Sequence, residues 1–424
     1  MSDNNQYTTS KVDPKDFTSG WMIAFILAGL GFSLPILYLG SEIALSIGLK
    51  DALIAYGIST LILSLLCIAT TIIGNRSRLS TYMILRFPFG KEGAKIINFI
   101  IGLSLLGWFS VALELLAQAI QETSTELLGI TFPLWSVVVV ASIFITVTTI
   151  YGIRSIEKLA NYAVPILSVF LLYATYKALG QTTTVTNLWA YEPQERTMSL
   201  FEATSVLVGS SILVPVLMAD FSRFIYNDRQ SIISVLGIMI GTPLVLLIAA
   251  ITAIKTGEVD IIQIMKSLSL ILPAFVLLFV STWVTNATNL YSTVLTFSTI
   301  QSIWSFKTMC FIVSLIGTVL ALFQFSDYLF DFLNILGVFA PSIAAIYILD
   351  FFWLKKQQYN LNQIQPWGIP ALISWGISSI IALLTYYSVI QLTGAYFVDS
   401  FLIAGVCYFL ISRRFLSSSN LTIS

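Results

Sequence analysis

Long apolar runs separated by short polar loops make up most of this chain and limit what it can fold into. Hydrophobic residues account for 57% of its 424 residues and charged residues for only 10%, and the mean hydropathy is +0.89. A water-facing surface must be covered with polar groups, so no soluble domain needs so much apolar residue. Because about 20 apolar residues span a bilayer as a helix, the pattern predicts an all-α polytopic membrane protein.

Twelve runs are near the length of a transmembrane helix. They are roughly Trp21–Leu39, Ala52–Ile73, Ile96–Ile120, Leu134–Tyr151, Leu159–Tyr176, Leu200–Ala219, Ile232–Ile254, Leu268–Thr296, Thr308–Phe325, Leu329–Phe351, Ile369–Ile390 and Tyr396–Ile411. Most Lys and Arg residues fall in the loops on one side, which predicts that both termini are cytoplasmic and that the protein lies in the plasma or inner membrane. We divide the chain into a cytoplasmic tail (1–19), a single transporter domain (20–412) and a second cytoplasmic tail (413–424).

Composition also excludes several classes of function. The sequence has no histidine, a net charge of zero, and three cysteines, all in apolar runs: Cys67, Cys310 and Cys407. These features argue against a metal site, a disulfide framework and a nucleic-acid partner. No loop is long enough for a soluble catalytic domain, so we expect no enzyme and no cofactor beyond a coupling cation. We expect the protein to function as a monomer in the lipid bilayer.

Two apolar spans carry the same small motif. Gly29 precedes Pro35 by six residues in span one, and Gly209 precedes Pro215 by six residues in span six. Proline removes a backbone donor, and a broken helix in hydrocarbon is tolerated only where it faces protein or a water-filled cavity. The matching positions predict two repeats of five helices with opposite topology, at about 20–177 and 199–352, followed by two more helices at about 369–412. A simple proline kink and a chance match are the alternatives.

Span three places an aromatic residue well inside the membrane. Trp108 follows a glycine and lies far from either end of its apolar run. An indole face can stack on a planar heterocycle, with about 1–3 kcal/mol by analogy with base–aromatic stacking. The alternative is a tryptophan that only packs in the protein core.

Span eight is unusually polar, from Ser281 to Tyr291. Ser281 and Thr285 are four residues apart and share one helix face, where their oxygens suit a hard monovalent cation. Asn286 can donate and accept hydrogen bonds, which suits the edge of a heterocycle. Such density is costly in lipid unless it lines a cavity, although polar residues that join helices are the alternative.

A few charged residues lie at or near membrane depth. Glu114, with Gln118 one turn on, is a candidate for proton coupling because an intramembrane carboxylate is a functional hypothesis by default. Asp220 and Arg223 close span six and can pair on one face as a gating or structural clasp. The stretch Arg86–Gly90 mixes basic, aromatic and apolar residues and predicts a short interfacial or re-entrant element.

Together these motifs resemble the nucleobase–cation symporter-1 family, and within it the cytosine permease branch. The resemblance is carried by Arg86-Phe87-Pro88-Phe89-Gly90, Gly107-Trp108-Phe109, Ala219-Asp220-Phe221-Ser222-Arg223-Phe224 and Trp283 through Tyr291. It implies the leucine-transporter-type inverted repeat with helices one and six broken, and inward movement of nucleobases or related compounds, coupled to sodium in some members.

The resemblance also implies roles for particular residues. Trp108 would stack on the base, and the remaining substrate contacts would come from Phe32, Gly209, Ser210, Ser211 and Asn286. A sodium ion would be held by the backbone carbonyls of Gly29 and Phe32 and by the side-chain oxygens of Ser281 and Thr285.

Three positions depart from the family pattern. Cytosine permeases have a phenylalanine where Ser211 stands and a serine where Leu213 stands, so a substrate other than cytosine is a serious alternative. Val284 replaces one of two adjacent hydroxyl residues at the ion site, which makes proton coupling through Glu114 a competitor.

We therefore predict a cation symporter for a cytosine-like heterocycle. The alternatives are uptake of a purine, uracil, hydantoin, allantoin or a thiamine pyrimidine precursor with proton coupling, or a passive facilitator.

Overall fold

The computed structural model describes residues 11–181, 187–300, 303–390 and 392–421, and the side chains within these ranges except those of 152–164 and 415–421. Regular structure in these ranges is helical apart from one isolated bridge between Thr18 and Ile225. The α-helices are α1 (Gly20–Gly31), α2 (Leu34–Ile47), α3 (Leu49–Ser77), α4 (Thr81–Leu128), α5 (Leu134–Leu179), α6 (Leu200–Ser211), α7 (Leu213–Ser222), α8 (Asp228–Leu236), α9 (Thr242–Thr256), α10 (Ile261–Ser267), α11 (Ile271–Ser298), α12 (Phe306–Leu322), α13 (Leu329–Leu349), α14 (Ile369–Tyr386) and α15 (Tyr396–Leu421).

The all-helical prediction is confirmed over the described residues, and the number of spans is supported in part. Nine helices there are long and apolar enough to cross a membrane, and the bent pair α1–α2 makes up to ten. Two shorter apolar segments, Pro165–Leu179 and Phe306–Leu322, coincide with predicted spans five and nine. The count of twelve and the inverted repeat stay predictions.

Helix α5 contains two predicted spans, and its two ends lie at the same end of the bundle. The Gln121 side chain of α4 donates to the carbonyl of Phe132, just before α5 begins. Just after α5 ends, Gln181 donates to the carbonyl of Ser267, beside the Lys266–Glu126 ion pair at the top of α4. A straight helix of 46 residues would be about 69 Å long. Its two apolar segments therefore run in opposite directions, as two separate spans require.

Span one is broken within the predicted motif. α1 and α2 meet at 60° across Phe32 and Ser33. Phe32 leaves the helical region (φ −85°, ψ 64°), and Ser33 is fully extended (φ −134°, ψ 155°). Pro35 follows as the second residue of α2, where its missing N–H removes no intrahelical hydrogen bond. The break is therefore placed where the proline is tolerated best.

Span six differs from the prediction of a second broken helix. α6 and α7 are separated only by Ile212, which keeps helical dihedrals (φ −62°, ψ −28°). The two helices together count as one span, Leu200–Ser222, and bend by no more than 40°. The motif located the interruption correctly but overestimated its size, because the interior around Ile212 holds both halves nearly collinear.

The predicted interfacial element is the first part of α4. Residues 81–89 are helical, and Gly90 (φ 79°, ψ 174°) interrupts the helix before its long second part begins. Gly368 donates to the Phe89 carbonyl at 2.7 Å, and a Cβ on Gly90 would lie 2.6 Å from that same Gly368 nitrogen. Only glycine fits this backbone conformation and this close approach.

The segment before α1 packs against the end of the bundle that is predicted to face the cytoplasm. Thr18 exchanges backbone hydrogen bonds with Phe224 and Tyr226, just after α7. Arg78, after α3, donates to the carbonyls of Arg223, Ile225 and Tyr226, and its guanidinium lies 4.0 Å from the centre of the Phe17 ring. Burial lowers the pKa of Arg78, and nearby Asp228 opposes that shift. This network holds the ends of α3 and α7 together.

Candidate functional site

Trp108 is the only partly exposed residue in a buried stretch of α4, from Ser104 to Glu114. The Phe332 ring of α13 stands edge-on to it, with centroids 5.9 Å apart and planes at 73°. The indole is therefore accessible in a stretch of α4 that is otherwise buried. Phe332 was not among the residues predicted from the sequence, because nothing in the chain indicates that α13 lies across from α4 at this level.

The same part of α13 also contacts the interruption in span six. Leu333, the neighbour of Phe332, places its carbonyl oxygen 2.0 Å from where a Cβ on Gly209 would stand. Gly209 is therefore a helix-packing residue in the α6–α13 contact. Through two consecutive residues of α13, the structure brings Trp108 and Gly209 to opposite sides of one helix segment.

Ser210 and Ser211 end α6, and their surroundings differ. Ser210 is buried, and its hydroxyl donates to the carbonyl of Leu207 at 2.8 Å. Ser211 is partly exposed, and its Oγ lies 3.3 Å from the Ser210 Oγ. Every residue from Ala203 to Ile225 is buried or partly buried, so Ser211 is accessible within a largely enclosed part of span six.

Asn286 on α11 is fully buried, and both polar atoms of its side chain lack a hydrogen-bond partner. One turn earlier, the hydroxyl of buried Thr282 is in the same condition. Other buried side chains among the described residues also lack a partner, but Asn286 is the one with two polar atoms unpaired, a donor and an acceptor, so it can serve a polar ligand or water. Thr282 was not predicted from the sequence, which indicated Ser281 and Thr285 instead.

The predicted cation oxygens are partly assembled at the break in span one. The Ser281 hydroxyl donates to the carbonyl of Phe32, which has left the helix and is buried. The Gly29 carbonyl accepts the Phe32 N–H at 3.0 Å, and Thr285 is partly exposed one turn below Ser281. Val284 is apolar and buried, so it adds no oxygen. Of the four predicted oxygen donors, the structure brings the Ser281 hydroxyl and the Phe32 carbonyl into direct contact.

Glu114 is completely buried, and its carboxylate is occupied by the protein. Ser326, in the 3₁₀ turn before α13, donates to it from both its backbone N–H at 2.8 Å and its hydroxyl at 2.6 Å. Gln118 adds a third contact at 3.3 Å. A carboxylate with three donors ties α4 to the start of α13 and is positioned as a structural link.

Asp220 and Arg223, the predicted clasp, lie at the end of α7. The Asp220 carboxylate accepts the backbone N–H of Thr81 at 3.1 Å and so caps the first turn of α4. Arg223 donates from Nε to the backbone carbonyl of Asp220 at 3.3 Å. Asp220 therefore connects the end of α7 to the interfacial part of α4, and the gating role of the pair stays a prediction.

Within the described residues, no group of three or more His, Cys, Asp or Glu side chains can hold a metal ion. Trp108, Ser211 and Asn286 each carry a group that can stack on or hydrogen-bond to a neutral polar molecule. The oxygen set at Phe32 and Ser281 can hold a small cation beside it.

Comparison with known proteins gives one family and two groups of relatives. A family model described as a permease for cytosine/purines, uracil, thiamine and allantoin matches residues 14–367. The cytosine permease of Escherichia coli (strain K12) is 27% identical over 362 residues, 85% of this chain and 84% of that permease. The hydantoin permease of Microbacterium maritypicum is 28% identical over 304 residues, 66% of this chain and 61% of that protein.

Among solved structures, the fold is similar to that of Mhp1, a nucleobase–cation-symport-1 family transporter. Its closed conformation with bromovinylhydantoin bound gives a TM-score of 0.83 at 20% identity, covering 97% of this chain and 96% of that one. A sodium-coupled sialic acid symporter gives a TM-score of 0.70 at 11% identity, covering 95% and 90%. At these identities the likeness concerns the fold.

Proposed function

Because the chain belongs to the family of permeases for cytosine/purines, uracil, thiamine and allantoin, we propose that it is a secondary active transporter importing a nucleobase or related planar heterocycle by cation symport. The family consists of membrane transporters, which confirms that the chain is not an enzyme and agrees with its multiple apolar helices. The observation that carries the proposal is Trp108, a partly exposed indole inside an otherwise buried helix stretch.

The substrate is held by stacking and by edge contacts. The indole of Trp108 provides a flat face, and Phe332 stands edge-on to it as a second aromatic wall. The unpartnered amide of Asn286 supplies a donor and an acceptor for the heterocycle edge, and Ser211 supplies a hydroxyl. Phe32 lies at the break that borders the ion oxygens. Cytosine is the first substrate to test, with uracil, purines, hydantoin, allantoin and a thiamine pyrimidine precursor as the alternatives that Ser211 and Leu213 leave open.

Transport proceeds by alternating access in the fold that the Mhp1 likeness supports. In this proposal twelve spans form two five-helix repeats, at about 20–177 and 199–352, with two added helices. The protein works as a monomer with both termini in the cytoplasm, in the plasma or inner membrane. The cation is sodium, held by the carbonyls of Gly29 and Phe32 and the hydroxyls of Ser281 and Thr285.

Uptake into proteoliposomes tests the proposal. Radiolabelled cytosine, adenine, guanine, uracil, hydantoin, allantoin and the thiamine pyrimidine precursor are each offered under an inward sodium gradient, an inward proton gradient, or neither. We expect at least one to accumulate above equilibrium, and the accumulation to collapse with the gradient. Equilibration without accumulation identifies a passive facilitator, and no uptake of any compound overturns the proposal.

Replacing the stacking platform gives a sharper test. Trp108→Ala should reduce uptake about five- to 150-fold, since stacking contributes about 1–3 kcal/mol per base. Trp283→Ala is the matched control, because the Trp283 indole donates to Thr148 and packs against Phe144 on another side of α11. Unchanged uptake in a correctly folded Trp108→Ala protein would remove this residue from the site.

The coupling ion is tested with Glu114→Gln. If sodium drives transport, this variant keeps the dependence on the sodium gradient and loses only stability, because its hydrogen bonds to Ser326 are weakened. Proton coupling through Glu114 predicts instead that accumulation driven by a proton gradient disappears while exchange of substrate continues.

A further inference from the structure

Two adjacent hydroxyls at the end of α6 form a short hydrogen-bonded chain that ends at a backbone carbonyl. The Ser210 Oγ lies 2.8 Å from the Leu207 carbonyl oxygen, and the Ser211 Oγ lies 3.3 Å from the Ser210 Oγ. What this pair of hydroxyls can bind depends on where the hydrogens of the Ser210 and Ser211 hydroxyls point.

The direction of the chain follows from the carbonyl. A carbonyl oxygen only accepts, so the single hydrogen of the Ser210 hydroxyl is committed to Leu207. Between the two serines, the donor must then be Ser211. Because a hydroxyl has one hydrogen and two lone pairs, Ser211 has used its hydrogen and presents lone pairs to its remaining surroundings.

Those surroundings are the internal space beside the interruption in span six. Ser211 is partly exposed, whereas Ser210 and Ile212 on either side are buried. Every residue from Ala203 to Ile225 is buried or partly buried, so the accessible part of Ser211 lies within a largely enclosed part of the bundle. A molecule in that space meets an oxygen that accepts hydrogen bonds.

We propose that Ser211 is a specificity-determining residue that accepts a hydrogen bond from an N–H group of the transported heterocycle, and that Ser210 is the positioning residue that holds it in the accepting state. This inference rests on the proposed function and deepens it by naming the substrate class: planar heterocycles that present an N–H donor to α6. A heterocycle that presents an acceptor there must break the Ser211–Ser210 contact before it can bind.

The test uses the variant Ser210→Ala. This substitution keeps the Ser211 side chain and removes the Ser210 hydroxyl, which accepts the hydrogen of Ser211. Ser211 is then free to donate. Dissociation constants are measured on purified full-length protein by thermal-shift titration with two pairs of heterocycles. The members of a pair are similar in size, but at one edge one member presents a hydrogen-bond donor and the other an acceptor. One pair is uracil and cytosine. The other is hydantoin and oxazolidine-2,4-dione, compared at a pH where both are neutral.

In wild-type protein the pair member that presents the donor to Ser211 should bind more tightly. The quantity compared is the ratio of the two dissociation constants within a pair. In Ser210→Ala this ratio should shift about two- to tenfold toward the acceptor-bearing member for at least one pair, which is the range of one net hydrogen bond. Ser210→Thr retains a hydroxyl and should keep the wild-type ratio. Ser205→Ala removes a hydroxyl from the same helix, where it donates to Phe201, and should also leave the ratio unchanged.

The outcomes separate the two proposals. If wild-type protein binds at least one probe and neither ratio moves by more than twofold in Ser210→Ala, the inference about Ser211 is wrong and the proposed function stands. An equal shift in Ser205→Ala also overturns it, because the effect then comes from general loosening of α6. If wild-type protein binds none of the four probes, the inference about Ser211 is wrong, whereas the proposed function fails only if the seven compounds of the uptake panel also show no uptake.

Discussion

Spans one and six carry the same spacing of glycine and proline, yet the structure treats them differently. In span one the chain leaves the helix for two residues and turns through 60°. In span six only Ile212 separates the two halves, and it keeps helical dihedrals. The motif therefore indicates where a transmembrane helix is weak, and the size of the resulting break depends on what packs against it.

The neighbours of the two breaks explain the difference. At span one the freed Phe32 carbonyl accepts the Ser281 hydroxyl of α11, so the cost of leaving the helix is compensated. At span six, α13 holds both sides of the interruption: Leu333 packs against Gly209, and the Tyr347 hydroxyl reaches the carbonyls of Pro215 and Val216. A partner that bridges both halves keeps them nearly straight.

The largest effect is expected at Gly209. A methyl group there would lie 2.0 Å from the Leu333 carbonyl oxygen, so Gly209→Ala must push α6 away from α13. Overpacking costs about 1–3 kcal/mol, and a clash with backbone belongs at the upper end of that range. The matched variant at span one is Gly31→Ala, whose nearest contact would be Thr242 at 3.3 Å.

Thermal unfolding of the purified protein compares these two variants. We expect a large fall in Tm for Gly209→Ala and little change for Gly31→Ala. Equal losses would mean that α13 does not hold span six more tightly than α9 holds span one.

The next effect is expected at Ser281. Ser281→Ala leaves the buried Phe32 carbonyl without this donor, and an unpaired buried polar group costs about 1–3 kcal/mol. Ser110→Ala is the control, because its hydroxyl donates to the Leu106 carbonyl inside the continuous helix α4. Thermal unfolding should show the larger loss for Ser281→Ala. A loss no greater than that of Ser110→Ala would show that the break needs no donor from α11.

The smallest effect is expected at Tyr347. Tyr347→Phe removes the hydroxyl that reaches Pro215 and Val216 at 3.0 and 3.1 Å, but both carbonyls belong to helix α7. The loss should be about 0.5–1.5 kcal/mol, the net value of one hydrogen bond. Tyr56→Phe, which removes a bond to the Gly40 carbonyl, provides the comparison in span two. A loss of stability in Tyr347→Phe larger than that in Ser281→Ala would reverse the comparison. Span six would then depend more than span one on a hydrogen bond from its neighbouring helix.

The candidate site could be predicted from the sequence only in part. Trp108 and Asn286 were identified because a polar or amphipathic side chain at membrane depth is costly and so carries information by itself. Phe332 and Thr282 were missed, since an aromatic ring and a lone hydroxyl in an apolar run are common. Their importance comes from facing Trp108 and from lacking a partner, and both are properties of the assembled bundle.

Glu114 has contacts that the sequence does not reveal. The cost of burying a carboxylate is a property of the residue, so the sequence marks Glu114 as a candidate, and its role in proton coupling stays a prediction. The donors that satisfy it come from Ser326, more than two hundred residues away, and no local pattern reveals them.

The sequence by itself determined that the chain is an all-helical membrane protein of this permease family and where its first and sixth spans are interrupted. The membrane class and the interruptions follow from transfer of apolar residues into lipid and from the missing N–H of proline, which are local properties, whereas the family follows from the resemblance of several motifs. The tertiary structure decided how far each span bends, that Gly209 packs against α13, and that Ser211 is partly exposed while Ser210 is buried. These depend on which helices become neighbours, and that is settled only when the whole bundle packs.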